Sequence, residues 1–124
     1  LLRRALRRVQ PTVQLEHVQD GEQAVARLDN REAPLPAVVL LDLKLPRMSG
    51  FEVLSWIRAD PRVRRLPVII LTSSRMQDDV GQAYDLGANS YLMKPTAPEA
   101  LILMMADVDR YWFSLNERPP PVAG

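Results

Sequence analysis

The sequence predicts an α/β fold, a doubly wound parallel sheet with helices on both faces. Three observations predict it. AVVLLD (37–42) and PVIILT (67–72) are near-continuous apolar runs, as strands covered on both faces require. Segments of helical spacing separate the strand-like runs, so successive strands are joined by right-handed crossovers. A carboxylate, a hydroxyl and an ammonium (Asp42, Thr72 and Lys94) each stand where a strand stops. That is the rim on which open α/β sheets carry their function.

The elements follow in order. Leu2, Leu6 and Val9 recur at helical spacing, with Arg3, Arg4, Arg7 and Arg8 on the other side, and Pro11 stops the run. The arginines could form a patch for an anionic partner, but a solvated helix face accounts for them. Val13 and Leu15 alternate in a short strand, and the lone His17 reads as strand surface, not as a ligand. Asp20-Gly21 turns the chain, and Asp20 can cap a helix from Glu22 to about Asn30 with Ala24, Val25 and Leu28 inside. REAPLP is a loop, and AVVLLD a strand. Ser49 or Gly50 opens a helix through Phe51, Val53, Leu54 and Ile57 that ends near Asp60-Pro61.

PVIILT is the second apolar strand. DDVGQAYDLGA (78–88) is a weaker helix closed by Gly87. NSYLMK (89–94) is a short strand. A long helix runs from about Pro98 to Asn116, and ERPPPVAG cannot continue it. The order is α-β-α-β-α-β-α-β-α. In the last helix Leu101, Met104 or Met105, Val108, Trp112 and Leu115 can face the core. Ile102, Leu103, Tyr111 and Phe113 are then partly spare, which suggests a homodimer through this helix and the tail. The plainer alternative is that some of them cover the first helix.

Bulk properties limit the function classes. The chain has 124 residues, enough for one domain with a real core. Net charge is +1, so no electrostatic case for nucleic acid arises. No apolar run reaches the roughly 18 residues of a membrane span. With no cysteine, disulfide and thiolate chemistry are excluded, and a cytoplasmic location is expected.

The strand-end trio has a chemical logic. A carboxylate can attack phosphorus, a hydroxyl can bond the phosphoryl oxygen, and an ammonium can neutralise its charge. Strand-end hydroxyls are otherwise turn formers, and surface lysines are otherwise solvated; the joint placement raises the chemical reading above both.

At these residues the chain resembles the receiver domains of two-component response regulators. Asp42 is followed by Pro46 and Gly50, Thr72 lies thirty residues further on, and Lys94-Pro95 fifty-two residues on. DLGANSYLMKP places Tyr91 three residues before the lysine. The resemblance implies a flavodoxin-like sheet of order 2-1-3-4-5. It implies Asp42 as acceptor of a phosphoryl group from a sensor histidine kinase, assisted by Thr72 and Lys94. Tyr91 would be the switch residue with Thr72, Lys44 and Ser74 would tune dephosphorylation, and Pro95 would be cis. Mg²⁺ would bind Asp42 and the Lys44 carbonyl. The surface of the helix over 78–88, the last strand and the last helix would carry the signal. LLTSSRMQDDVGQAYDLGANSYLMKP and YWFSLNERPPP are most similar to stand-alone regulators paired with bacterial phytochromes.

The family's first strand, ending in an acidic pair, is absent from this sequence. Residues 1–116 therefore read as an N-terminally incomplete receiver domain and 117–124 as a proline-rich tail. The expectation is that the native protein has residues before Leu1, and that the chain as it stands binds Mg²⁺ and accepts phosphate poorly. Two rival readings remain. One is a non-phosphorylated receiver-like interaction scaffold. The other is an aspartate-nucleophile phosphatase, disfavoured because Lys44 stands where such enzymes place a second aspartate.

Overall fold

The computed structural model of the protein describes residues 16, 18, 20–120 and 122. The expected helix with Leu2, Leu6 and Val9 and its arginines lies outside the described residues. So does the strand with Val13, Leu15 and His17. Described residues from Val18 to Met93 form one compact unit, and those from Lys94 to Arg118 belong to another.

The first unit alternates helix and strand: α1 (Gly21–Asp29), β1 (Val39–Leu41), α2 (Gly50–Ala59), β2 (Val68–Thr72), α3 (Gln77–Asp85) and β3 (Ser90–Met93). The strands form a parallel sheet in the order β1-β2-β3. Leu41 pairs with Ile70, and Thr72 with Met93. This is the 3-4-5 run of the flavodoxin-like order.

Local chemistry sets the boundaries. Asp20 caps α1 by accepting from the Gln23 N–H at 2.8 Å. Ser49 caps α2, its hydroxyl accepting from the Glu52 N–H at 3.3 Å. Glu22 and Glu52 in the first turns, and Arg27 and Arg58 in the last, complement the helix dipoles. Helix α3 closes on Gly87, whose φ of +103° suits a residue without Cβ. There Gly87 N–H reaches Tyr84 O and Ala88 N–H reaches Ala83 O, each at 3.0 Å, which satisfies two terminal carbonyls.

Every residue of β2 is buried. Val68 and Ile70 join Leu41, Leu43, Leu28, Val53, Leu54, Ile57, Val63, Leu66 and Ala83 in one core. Ile69 and Leu71 alternate to the opposite face and are as deeply buried. Burial on both faces is why this strand reads as an unbroken apolar run.

The second unit holds α4 (Pro98–Asp109), with proline in the first turn where its missing N–H is harmless. Leu101, Met105 and Val108 are buried. The expected helix to Asn116 changes character after Asp109: Arg110–Leu115 is a π-helix, closed by Asn116 N–H on Tyr111 O at 2.6 Å. The wider turn advances each side chain less around the axis. Leu115, expected in the core, therefore rotates out and is 65% exposed. Trp112 is half-buried, and Leu103 and Tyr111 are exposed as expected.

Candidate functional site

Asp42 follows the last residue of β1 and is half-buried. Its Oδ1 accepts from the Lys44 N–H at 3.2 Å, an Asx-type turn that ends the strand. The turn sends Leu43 back into the core and leaves Lys44 exposed. Gly50 then brings α2 against this turn, with its N–H on Leu43 O at 3.0 Å. A Cβ at Gly50 would run into the Asp42 carbonyl oxygen and stand 2.7 Å from Leu43 Cα. The glycine is what lets helix and carboxylate-bearing backbone approach.

The loop between is pinned to the start of α1. Arg47 adopts a left-handed φ of 68°, a conformation that costs a non-glycine residue about 1–2 kcal/mol. Its guanidinium lies 3.7 Å from Asp20 and 3.8 Å from Glu22. Gly21 N–H reaches Pro46 O at 3.4 Å. Arg47 is exposed, so these ion pairs contribute modestly.

Thr72 ends β2 on the same edge of the sheet and is fully buried. Its Oγ1 accepts from the Ser74 N–H at 3.4 Å. Ser74 is buried too, and its hydroxyl donates to Asp79 Oδ2 at 2.5 Å. The Tyr91 hydroxyl, from β3, donates to Ser74 O at 3.1 Å. Thr72, Ser74 and Tyr91 thus form one bonded set at the carboxyl end of the sheet, with Asp42 ending the neighbouring strand. Lys94 follows Met93 in the chain, is exposed, and begins the second unit.

The Lys94-Pro95 bond is trans, not cis, as are all described peptide bonds. The trans form is the intrinsically favoured one.

The opposite end of the sheet is held by Arg58. Its guanidinium donates to Gly87 O (2.9 Å), Arg64 O (3.0 Å), Leu66 O (2.7 Å) and Asn89 Oδ1 (2.8 Å). Burial lowers its pKa from the usual arginine value, yet an arginine stays charged at any working pH. This cluster is structural.

The rim has the donors for phosphoryl chemistry: a carboxylate that can form an O–P bond and a neighbouring hydroxyl that can bond the transferred group. A magnesium ion wants about six oxygen ligands. Among the described residues no group of three acidic or imidazole side chains could hold one. Asp42 and the Lys44 carbonyl do not by themselves make such a site.

Residues 1–106 match the family model of the response regulator receiver domain. The chain belongs to the response-regulator receiver family. FilR2, a probable methanogenesis regulatory protein of Methanothrix harundinacea, is 40% identical over 98% of this chain and 80% of its own length. Response regulator Rcp1 of Synechocystis is 35% identical over 94% of this chain and 84% of its own length. The Mn²⁺-bound Rcp1 structure superimposes with a TM-score of 0.84 and 33% identity, covering 96% of this chain and 91% of Rcp1. Phosphorylated RcpA, a cyanobacterial phytochrome response regulator, gives a TM-score of 0.88 at 32% identity, over 96% of this chain and 88% of RcpA. Regulators of phytochrome signalling are thus among this receiver's structural neighbours, and the flavodoxin-like fold is shared with them.

Asp79 and Arg58 carry only faint signals in the sequence. Asp79, five residues after Ser74 and in the first turn of α3, could have been singled out as a partner for a hydroxyl in the preceding loop. Arg58 follows Leu54 at helical spacing, so a cation stands next to a core stripe. That is a mild sign that it bonds inward.

Proposed function

We propose that Asp42 of this response-regulator receiver accepts a phosphoryl group from a sensor histidine kinase. The carrying observation is the rim itself: Asp42 ends one strand, and Thr72, on the next, is bonded through Ser74 to Tyr91. In the transfer, an Asp42 carboxylate oxygen forms the bond to phosphorus as the phosphohistidine N–P bond breaks. Nearly two negative charges then stand at residue 42. The Thr72 hydroxyl turns to donate to a phosphoryl oxygen, giving up its weak bond from Ser74 N–H. Lys94 supplies the compensating cation. Lys44 and Ser74 flank the rim and tune how fast water removes the phosphoryl group. Asp42 and the Lys44 carbonyl are the oxygens this loop offers to Mg²⁺, which supplies charge neutralisation when bound.

The output is a change of surface, not a reaction; self-dephosphorylation is the only turnover. An open depression lined by Arg75, Gln77, Val80, Tyr84, Tyr91 and Met93 lies on α3 and β3, beside the bonded set. This depression is the α3 and β3 part of the proposed signalling surface. The neighbours in phytochrome signalling support a phytochrome-type kinase as input. A net charge of +1 gives no support to a nucleic-acid partner. Among the described residues no helix is long and apolar enough to cross a membrane; the cytoplasm, where such kinases phosphorylate their regulators, is the proposed location.

Labelling tests this reading. Wild type incubated with acetyl phosphate or a phosphorylated kinase should gain one phosphoryl group, slowly because Asp42 and the Lys44 carbonyl alone hold Mg²⁺ weakly, and Asp42→Asn should gain none. Persistent labelling of the variant overturns the assignment of Asp42. No labelling of wild type favours the non-phosphorylated scaffold.

A further inference from the structure

We infer that Asp79 is a positioning residue that couples the Thr72 end of the sheet to helix α3; the inference rests on Asp42 being the phosphoacceptor. Helices α1 and α2 are capped by their own N-cap side chains, Asp20 and Ser49. Helix α3 is not: its N-cap is Met76, 64% exposed and without a capping oxygen. Ser74, two residues upstream, takes that role. Its hydroxyl accepts from the Met76 N–H at 3.4 Å and donates to Asp79 Oδ2 at 2.5 Å. Asp79 in turn bonds Met76 O through its own N–H at 3.0 Å. Asp79 also lies in the first turn, where the helix dipole favours a negative charge.

Ser74 has every polar atom engaged: its N–H on Thr72, its carbonyl under Tyr91, its hydroxyl between Met76 and Asp79. The bonds are unequal. The bond to Thr72 is long and joins neutral groups. The bond to Asp79 is short and charge-assisted, the stronger class. When the Thr72 hydroxyl turns to a phosphoryl oxygen, the long bond is the one lost. Ser74 then shifts with Asp79 attached, and the first turn of α3 shifts with both. Asp79 is the link that lets α3 respond, because Met76 offers no other side-chain hold.

Amide hydrogen exchange over residues 75–80 of the full chain tests this, with acetyl phosphate as phosphodonor and phosphorylation scored by intact mass in each sample. In wild type, phosphorylation should change exchange there several-fold. Asp79→Ala should accept phosphate equally well and exchange about tenfold faster before phosphorylation, as expected when a local hold is lost. It should show little further change on phosphorylation. Asp79→Asn, which keeps an acceptor oxygen, should restore part of the response. A merely structural aspartate would shift both states alike and leave the phosphorylation-linked difference intact, which would overturn the proposal. If mass shows no phosphate on wild type, the phosphoacceptor reading has failed separately. In that case the coupling falls with it, and faster exchange over 75–80 in unphosphorylated Asp79→Ala shows a structural hold alone.

Discussion

Asp42 works only if its carboxylate is aimed, and the aim is set by backbone. The Lys44 N–H holds one oxygen, and Gly50 lets α2 start against the Asp42 and Leu43 peptides. A methyl group at Gly50 has no space to enter, because its nearest neighbours are main-chain atoms that cannot swing aside. Gly50→Ala should therefore displace the 42–44 turn or the start of α2. The expected loss is about 1–3 kcal/mol, the usual range for forced overpacking, together with slower labelling of Asp42. Thermal unfolding and acetyl phosphate labelling check both. Unchanged stability would mean that the turn has slack the packing does not suggest. The alignment of Asp42, Thr72 and Lys94 with strand ends was legible in the sequence, since strand-end chemistry needs only the strands to be located. The role of Gly50 was legible as a helix start but not as a clearance for the site, because clearance depends on two segments meeting in space.

The elements themselves were legible wherever one physical signal dominated. The doubly buried strand β2 announced itself as PVIILT, and Asp20, Ser49 and Gly87 marked helix ends by their side chains or lack of one. The bonds that join elements were not, because a hydrogen bond between residues 29 or 31 positions apart leaves no periodic trace. Arg58 is the main case: it ties α2 to Gly87 at the end of α3, to Leu66 before β2 and to Asn89 before β3. Asn89 Oδ1 also accepts from the Val68 N–H at 2.8 Å, so the cluster fixes the entry of two strands. Arg58→Ala should leave carbonyls short of donors at a half-buried site. A loss of about 2–3 kcal/mol follows from charged-donor bonds of this kind, or a melting point lower by roughly 10 °C for a domain of this size. Arg58→Lys should recover only part of it, since one ammonium cannot reach the same fork of acceptors. Labelling of Asp42 at low temperature should persist in both, because the cluster lies at the other end of the sheet. A melting point unmoved in Arg58→Ala would show the cluster to be incidental.

For the whole molecule the open question of assembly turns on the last helix. Three large apolar side chains stand exposed there: Leu103 at 68%, Tyr111 at 50% and Leu115 at 65%. The π-helical stretch explains the last of these, since a continuous α-helix would have carried Leu115 with the buried stripe of Leu101, Met105 and Val108. Leu115 falls on the core stripe of the sequence for that reason; a change of helical pitch cannot be seen in a 3.6-residue pattern. Within the segment Tyr111 and Trp112 pack edge to face at 5.0 Å, and the Arg118 guanidinium lies 5.4 Å from the Phe113 ring centre. Tyr, Trp and Phe are enriched at interface cores, and here they stand next to exposed leucines. We propose a homodimer built on this helix and the tail. Leu103→Glu with Leu115→Glu should convert it to monomer in sedimentation velocity, because each change would bury an unpaired charge at the contact. Both positions are exposed, so the monomer should keep its fold and its melting point within about 0.5 kcal/mol of equivalent stability. Truncation before Tyr111 should have the same effect on mass. A dimer that survives both changes would place the contact elsewhere, and a wild-type monomer across the accessible concentration range would leave the exposed leucines for a different partner.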